Sequence, residues 1–310
     1  MTRLLVRRLS TMLLIMLTVG FILFVMNEGD PRSVARGVLG PYAQDQQLDI
    51  WIEQNGYDRS IPVRFLDWVG GVATGDLGVS VQYKRPVNEF FWERLGNTGI
   101  LAGLTFLIMV PLALVLGVFA GIKEGSMQDR TISVVSIFTT SIPEFASAVI
   151  LTWIVVIKLK WLPGTSSMAQ GWNWLEMILP VTVLVLYGFG YITRMTRASM
   201  AEVMTSHYIR TAVLKGLPYK RVIFKHALRN ALISPFTVIM LQMNWLLSGV
   251  VVTEFAFAYK GFGTMLLEAA LRRDIFVIEA CGLAAVFVAV FSQTLGDIGY
   301  TFLNPRIRFS

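Results

Sequence analysis

The sequence has few of the residues that catalysis, metal binding and disulfide formation require. It contains one cysteine, Cys281, and two histidines, His207 and His226, in 310 residues. A single cysteine excludes an intrachain disulfide framework. Neither a His-Glu-x-x-His pair nor a Gly-x-Ser-x-Gly nucleophile motif occurs. The sequence therefore predicts no catalytic residues and no metal site.

The dipeptide Gly-Lys is also absent from the chain. A phosphate-binding loop of the Walker A type needs it, because the lysine that follows the glycine-rich turn reaches the β- and γ-phosphates. The chain cannot bind and hydrolyse ATP by that route. If ATP drives its activity, another chain must bind the ATP and Mg²⁺.

Charged residues are scarce as well. They make up 15% of the chain, whereas 55% of the residues are hydrophobic and the mean hydropathy is +0.61. Soluble proteins have about 25% charged residues, so the composition is typical of a membrane protein. The net charge of +7 follows from basic residues placed beside membrane spans. Nothing in the sequence indicates a basic and aromatic surface for a nucleic acid.

Six apolar runs are long enough to cross the roughly 30 Å hydrocarbon core of a bilayer. They cover about residues 9–26, 97–122, 131–157, 177–193, 231–253 and 280–300. The first run is long for a signal peptide and no small-residue cleavage site follows it, so we predict an uncleaved first span. The chain is predicted to be an all-α membrane protein with six transmembrane helices.

The distribution of charge predicts the orientation. With six spans both termini lie on one side, which carries 15 Lys and Arg against three acids in its loops. The other side has 12 basic and 15 acidic residues, so the positive-inside rule makes both termini cytoplasmic. We divide the chain into 1–93, the first span with a polar periplasmic loop, 94–303, the core transmembrane domain, and 304–310, a cytoplasmic tail.

One long segment, 194–235, is too polar for lipid, with eight Lys and Arg and one acid. Ser206 is placed to cap a helix over 207–215, Gly216 follows where a left-handed residue is needed, and Pro218 can open the next helix. Apolar residues then recur every four positions, opposite a basic stripe. The apolar positions are Ile223, Ala227 and Ala231 with Phe224, Leu228 and Leu232, and the basic ones are Arg221, Lys225 and Arg229. The pattern predicts two amphipathic helices at the membrane surface, joined by a tight corner.

This segment resembles a known family. Tyr208-Ile209-Arg210-Thr211-Ala212, then Lys215-Gly216-Leu217, then Lys225-His226-Ala227-Leu228-Arg229-Asn230 are similar to the EAA loop of membrane subunits in binding-protein-dependent ABC importers. The likeness is strongest to the dipeptide, oligopeptide and nickel branch. Ser141-Ile142-Pro143 and the closing Asn304-Pro305-Arg306 are also similar to the family pattern. The resemblance covers 94–308 well and the first loop poorly.

The resemblance implies a type I ABC importer transmembrane-domain fold in the inner (plasma) membrane of a bacterial cell. The chain would be a permease subunit that forms half of a translocation pathway for a solute, with peptides favoured and oligosaccharides, opines, glutathione or nickel left open. Its implied partners are a second homologous permease in a heterodimer, two ATP-binding subunits and a periplasmic solute-binding protein, and the chain itself would hold no cofactor. The residues implied to couple the pathway to the ATPases are Tyr208, Arg210, Thr211, Ala212, Lys215, Gly216 and Leu217.

Polar residues within or beside the predicted spans are candidates for the translocation pathway. Glu144 falls near the middle of the third span, where an ionised carboxylate is costly and by default functional. The alternative is a structural carboxylate paired between helices, or a bend typical of the family. Gln242, Asn244 and Trp245 in the fifth span, and Glu254 at its outer end, are further candidates with the same packing alternative. The alternative function is an ion-coupled secondary transporter or channel, which would need coupling carboxylates of its own.

Overall fold

The chain is helical over most of the residues that the structure describes. The computed structural model describes residues 2–169 and 171–303, and the side chains of 6–169, 171–243, 245–246, 250–296 and 298–299. Within these ranges there is no β-strand, only an isolated bridge between Val79 and Pro86. The predicted all-α class is confirmed. The tail predicted for 304–310 lies outside the described residues.

The described residues form fourteen α-helices. They are α1 (Thr2–Glu28), α2 (Pro31–Leu39), α3 (Asp45–Gln54), α4 (Ile61–Thr74), α5 (Asn88–Ile122), α6 (Met127–Ser141), α7 (Glu144–Leu151), α8 (Trp174–Met204), α9 (His207–Leu214), α10 (Tyr219–Arg221), α11 (Leu228–Ala231), α12 (Ile233–Ala256), α13 (Phe262–Arg272) and α14 (Ile275–Leu303). Two π-helical segments, Thr152–Lys158 after α7 and Val222–Ala227 between α10 and α11, widen the helical turn locally.

Four described helices are long and apolar enough to cross a membrane. They include Val6–Glu28 of α1, all of α5 and α8, and Ile275–Gly296 of α14. A fifth candidate is the pair formed by α6 and Glu144–Lys158, which is bent by 98°. Pro143 causes the bend, because proline restricts the residue before it to extended backbone, and Ile142 has φ −86° and ψ 124°. Helix α12 contains a shorter apolar stretch, Ile233–Met243, and the count of six spans stays a prediction.

The chain divides into two compact units, of which the first comprises residues 1–98 and 260–291. Its apolar core is built from the start of α5, from α13 and from the start of α14. The buried members are Val87, Phe90, Phe91, Phe262, Met265, Ala269, Val277, Ala280 and Cys281. In the same unit, Phe24 of α1 packs its ring 5.6 Å from Phe65 and 5.7 Å from Trp68 of α4. The polar segment predicted between the first two spans is therefore largely helical and packs on the first span.

The second unit comprises residues 99–259 and the described part of 292–310, and α8 lies at its centre. Helix α8 packs against α6, α7 and α12. The buried residues of this core include Leu101, Met109, Ala113, Leu184, Phe189, Ile192 and Leu246. Helix α5 approaches α8 closely at Gly117, where an added Cβ would lie 2.5 Å from the Cβ of Thr196. Only glycine permits that spacing between the two helix backbones.

Candidate functional site

A short helix, α9, follows α8 where the sequence predicts the first amphipathic helix. Ser206 occupies its N-cap position, with φ −68° and ψ 150°. The predicted start of the helix is therefore right, and the helix ends at Leu214, one residue earlier than predicted. The predicted capping hydrogen bond is wrong: the Ser206 hydroxyl donates to the carbonyl oxygen of Val203 at 2.6 Å, an oxygen that also accepts from the Ser206 N–H at 3.1 Å.

The corner after α9 has the predicted glycine geometry. Gly216 has φ +72°, and its N–H donates to the carbonyl oxygen of Val213 at 2.9 Å. The N–H of Leu217 donates to the carbonyl oxygen of Ala212 at 3.4 Å, which closes the helix end. No atom lies within 4 Å of a Cβ built on Gly216, so the position requires glycine only for its backbone conformation. Pro218 then precedes α10, as predicted.

The inner face of α9 is buried. Ile209 and Ala212 are 2% and 6% exposed, and they belong to one apolar cluster with residues from α8 and from the segment that leads to α12. The other buried members of that cluster are Met200, Val222, Ile223, Ala227 and Ala231. We call this the coupling core. It attaches α9 on one side to the end of α8 and on the other to the segment Val222–Ala231 that leads to α12.

The outer face of α9 is exposed and mixes apolar with basic side chains. Leu214 is 79% exposed, Val213 49% and Tyr208 43%. Most of the predicted coupling residues share this face or the corner after it, namely Tyr208, Arg210, Thr211, Lys215 and Gly216, whereas Ala212 is buried and Leu217 is half-buried. The amide of Asn230 donates to the Tyr208 hydroxyl at 2.9 Å, which ties the outer face to α11.

The second amphipathic helix differs from the prediction in its regularity, since it includes the π-helical segment Val222–Ala227, and in its exposed face. Its buried row, Ile223, Ala227 and Ala231, is 7%, 0% and 0% exposed, as the i+4 pattern predicts. Phe224, predicted on the same apolar side, is instead 70% exposed. The coupling core covers the row that begins with Ile223 and also Val222, which is 0% exposed, so the buried face is turned away from Phe224.

An ion pair that the sequence analysis missed ties α6 to α8 near α9. The Nε and Nη2 atoms of Arg197 donate to the carboxylate of Asp129 at 2.9 and 2.8 Å. This carboxylate also accepts from the Gly125 N–H at 2.8 Å and from the Ser133 hydroxyl at 3.3 Å. Sequence separation hides such a pair, because no local pattern connects positions 68 residues apart.

The predicted pathway residues lie on α7 and α12, and the structure gives several of them partners within the chain. Glu144 is the first residue of α7, and its buried carboxylate accepts a hydrogen bond from the Thr253 hydroxyl. The Gln242 amide donates to the carbonyl oxygen of Gly188 at 3.2 Å, and Glu254 is fully buried. This geometry fits the packing alternative for Glu144 and Gln242, and a role in the pathway stays a prediction. The side chain of Asn244 lies outside those described.

Trp245, the remaining predicted pathway residue, belongs to an aromatic group that the sequence analysis did not single out. Its ring stacks on Tyr187 of α8, with centroids 4.7 Å apart and 23° between the ring planes. The ring centroid of Tyr191 lies 6.4 Å from that of Tyr187, and the guanidinium of Arg194 lies 5.2 Å from the centre of the Tyr191 ring. The i, i+4, i+7 spacing of the three α8 residues was visible in the sequence and predicts that they share one face.

Apolar helices long enough to span a bilayer, together with a short helix fixed at the end of one of them, indicate a multi-pass membrane protein. The chain belongs to the family described as the binding-protein-dependent transport system inner membrane component, whose model matches residues 113–309. The model of the family's N-terminal region matches residues 1–101, so the likeness extends through the first loop, further than the motifs indicate. The chain is therefore an inner-membrane permease subunit of an ABC transporter with the type I importer fold, and its family is one of transport subunits, not of enzymes.

Relatives along the whole chain agree with this assignment. The probable peptide ABC transporter permease protein y4tP of Sinorhizobium fredii is 33% identical over 98% of both chains. The oligopeptide transport system permease protein AppB of Bacillus subtilis is 30% identical over 98% of both chains. The di/tripeptide transport system permease protein DppB of Pseudomonas aeruginosa is 33% identical over 93% of this chain and 92% of its own. These relatives give no support to the alternative of an ion-coupled secondary transporter or channel.

Proposed function

We propose that this chain forms half of the translocation pathway of an ATP-driven importer that takes up peptides. Its partners are a second homologous permease in a heterodimer, two subunits that bind ATP and Mg²⁺, and a periplasmic binding protein that delivers the peptide. Three relatives with peptide, oligopeptide or di/tripeptide in their names support the substrate class. The lack of a Gly-Lys dipeptide supports a separate ATPase, and the chain itself holds no cofactor.

The two faces of α9 carry the proposal. Its inner face belongs to the coupling core, so α9 is fixed to the end of α8 and to the segment that leads into α12. Its outer face exposes Leu214 and Val213 beside Arg210 and Lys215, a mixture of apolar and basic groups that suits a protein partner better than water. The outer face of α9 is the docking surface for an ATP-binding subunit.

This arrangement transmits motion. When two ATP-binding subunits close around ATP, each displaces the α9 that is docked on it. The displacement passes to α8 and to the segment that leads into α12, because their buried side chains share one packed core with α9 and the corner at Gly216 is left-handed. Movement of α8 and α12 against the second permease then switches the pathway between outward and inward access. Glu144, Gln242, Asn244, Trp245 and Glu254 are the proposed pathway residues.

A substitution on the outer face tests the docking. In the purified complex, Leu214→Asp places a charge on the proposed contact without touching the coupling core, since this side chain is 79% exposed. We expect the ATP-binding subunit to bind at least about tenfold more weakly, as for a central interface residue, and ATP hydrolysis to lose its stimulation by loaded binding protein. The matched control is Leu271→Asp, at a leucine that is 75% exposed on α13, and it should leave both quantities unchanged.

The outcomes separate the candidate functions. Normal binding of the ATPase by the Leu214→Asp variant would refute the docking role of α9. Uptake driven by a proton gradient, in vesicles that contain this chain without an ATPase, would restore the secondary transporter. Mass spectrometry of the ligand that copurifies with the cognate binding protein checks the substrate, and an oligosaccharide, opine, glutathione or nickel there would refute the peptide assignment.

A further inference from the structure

Four side chains of the second unit form a row of three aromatic rings, one stacked pair and one tilted pair, that ends in a guanidinium group. The row runs from Trp245 of α12 to Tyr187, Tyr191 and Arg194 of α8, with successive centres 4.7, 6.4 and 5.2 Å apart. We call these four residues the aromatic ladder. Tyr191 is 43% exposed, and the other three side chains are half-buried, so the ladder is a surface of this unit and not part of its core.

The length of α8 places Tyr187 at hydrocarbon depth and Arg194 at an interface. Helix α8 begins at Trp174, whose ring packs 5.2 Å from that of Trp172, an aromatic pair typical of a membrane interface. At 1.5 Å per residue, Arg194 lies about 30 Å further along the helix and marks the opposite interface. Tyr187 then lies about 10 Å inside that interface, deeper than an interfacial belt requires.

The polar groups of the ladder make lipid an unfavourable neighbour. Neither the Tyr187 nor the Tyr191 hydroxyl has a hydrogen-bond partner among the described residues. A hydroxyl without a partner costs about 2–7 kcal/mol in an apolar medium, so this face is better suited to a wet route than to acyl chains. Arg194 donates from Nε to the carbonyl oxygen of Gly190 at 3.3 Å and forms no ion pair with a described carboxylate. Its two terminal nitrogens are therefore available to an anionic group.

We propose that the aromatic ladder is the surface over which a peptide passes through this subunit, a claim that rests on the proposed import of peptides. The ring faces accept amide groups and side chains by stacking, which does not depend on the peptide sequence. The tyrosine hydroxyls exchange hydrogen bonds with the peptide backbone. Arg194, at the inner end of the row, holds the carboxylate of the peptide by charge-assisted hydrogen bonds.

The test of the ladder is import of a radiolabelled peptide by the reconstituted complex. The peptide is one that the wild-type complex imports from a mixture of di- to pentapeptides. We expect Tyr191→Leu and Tyr187→Leu each to lower the import rate about threefold to tenfold, as the loss of one aromatic contact predicts. Tyr191→Phe keeps the ring and loses one hydroxyl, so it should lower import by about twofold, less than Tyr191→Leu does. ATP hydrolysis stimulated by loaded binding protein should persist in all three variants, so peptide imported per ATP falls in the leucine variants.

A matched control and a direct contact measurement complete the test. Phe138→Leu removes a ring that is 65% exposed on α6 and should leave import unchanged. A benzophenone amino acid at position 191 should form a covalent adduct with the radiolabelled peptide during ATP turnover, and excess unlabelled peptide should abolish the adduct. Arg194→Gln should raise the KM for the peptide more than Arg194→Lys does.

Each other outcome overturns the proposal. Three results would show that the ladder does not contact peptide. They are unchanged import in both leucine variants, an equal loss of import in Phe138→Leu, and benzophenone adducts only with lipid or with the second permease. A wild-type complex that imports no peptide of the mixture would instead refute the proposed function, and the ladder proposal would fall with it. The two failures are therefore distinguishable.

Discussion

Loss of the Arg197 guanidinium should destabilise the second unit by about 3 kcal/mol. The carboxylate of Asp129 is 4% exposed and accepts two hydrogen bonds from Arg197, one from Gly125 and one from Ser133. Arg197→Met removes the two charged donors and leaves the carboxylate buried with two neutral ones. Breaking a buried ion pair on one side costs about 3–5 kcal/mol. The lower end applies here, because the Arg197 side chain is 29% exposed and water can replace part of the lost contact.

Two further variants show whether the pair acts as a unit. Asp129→Asn should lower the free energy of unfolding by about 2 kcal/mol, less than Arg197→Met does. In this variant Arg197 still pairs with Glu124 at 3.2 Å and remains partly exposed to water. The double variant should cost about 3 kcal/mol, below the additive value of about 5, so the coupling energy is about 2 kcal/mol. Arg197→Lys keeps the charge but loses the paired geometry and should fall between wild type and Arg197→Met.

The assay is reversible unfolding of the purified subunit in micelles of mixed nonionic detergent and dodecyl sulfate, followed by far-ultraviolet circular dichroism. The free energy of unfolding is compared among wild type, the single variants and the double variant. A loss below about 1 kcal/mol in Arg197→Met, as for an exposed ion pair, would refute the assignment of a buried one. Additivity within about 0.5 kcal/mol would refute the coupling.

Three more substitutions test the packing of the two units. Glu279→Gln should preserve or raise the thermal midpoint, because the 1% exposed carboxylate has no hydrogen-bond partner among described residues, and a lower midpoint would contradict this. Asp274→Ala should speed proteolysis of the loop before α5 more than Ser80→Ala does. The Asp274 carboxylate accepts hydrogen bonds from the Ser80 hydroxyl and from two backbone N–H groups, and equal rates of proteolysis in the two variants would refute the ranking. Gly117→Leu should abolish assembly of a stable complex, since an added Cβ would lie 2.5 Å from a side-chain carbon of α8. The control Gly96→Leu, with open space around the glycine, should assemble normally.

Much of the candidate site followed from local patterns. The start of α9, the left-handed Gly216 and the proline that opens the next helix depend on backbone conformations that a few neighbouring residues dictate. The bend at Pro143 has the same origin. The predicted burial of Phe224 and the predicted capping bond of Ser206 were wrong. Both depend on which groups lie beside the helix and not on the pattern of the helix itself.

By itself, the sequence determined the helical class, the membrane location, the family and the position of α9, since hydropathy, turn chemistry and motif wording are properties of short stretches. Only the tertiary structure decided which side chains meet: Arg197 with Asp129, Thr253 with Glu144, and Trp245 with Tyr187. These pairs join positions far apart in the chain, and helix packing brings them together through shape and close approach over many residues at once. For that reason the coupling helix could be placed from the sequence, whereas the aromatic ladder emerged only from the fold.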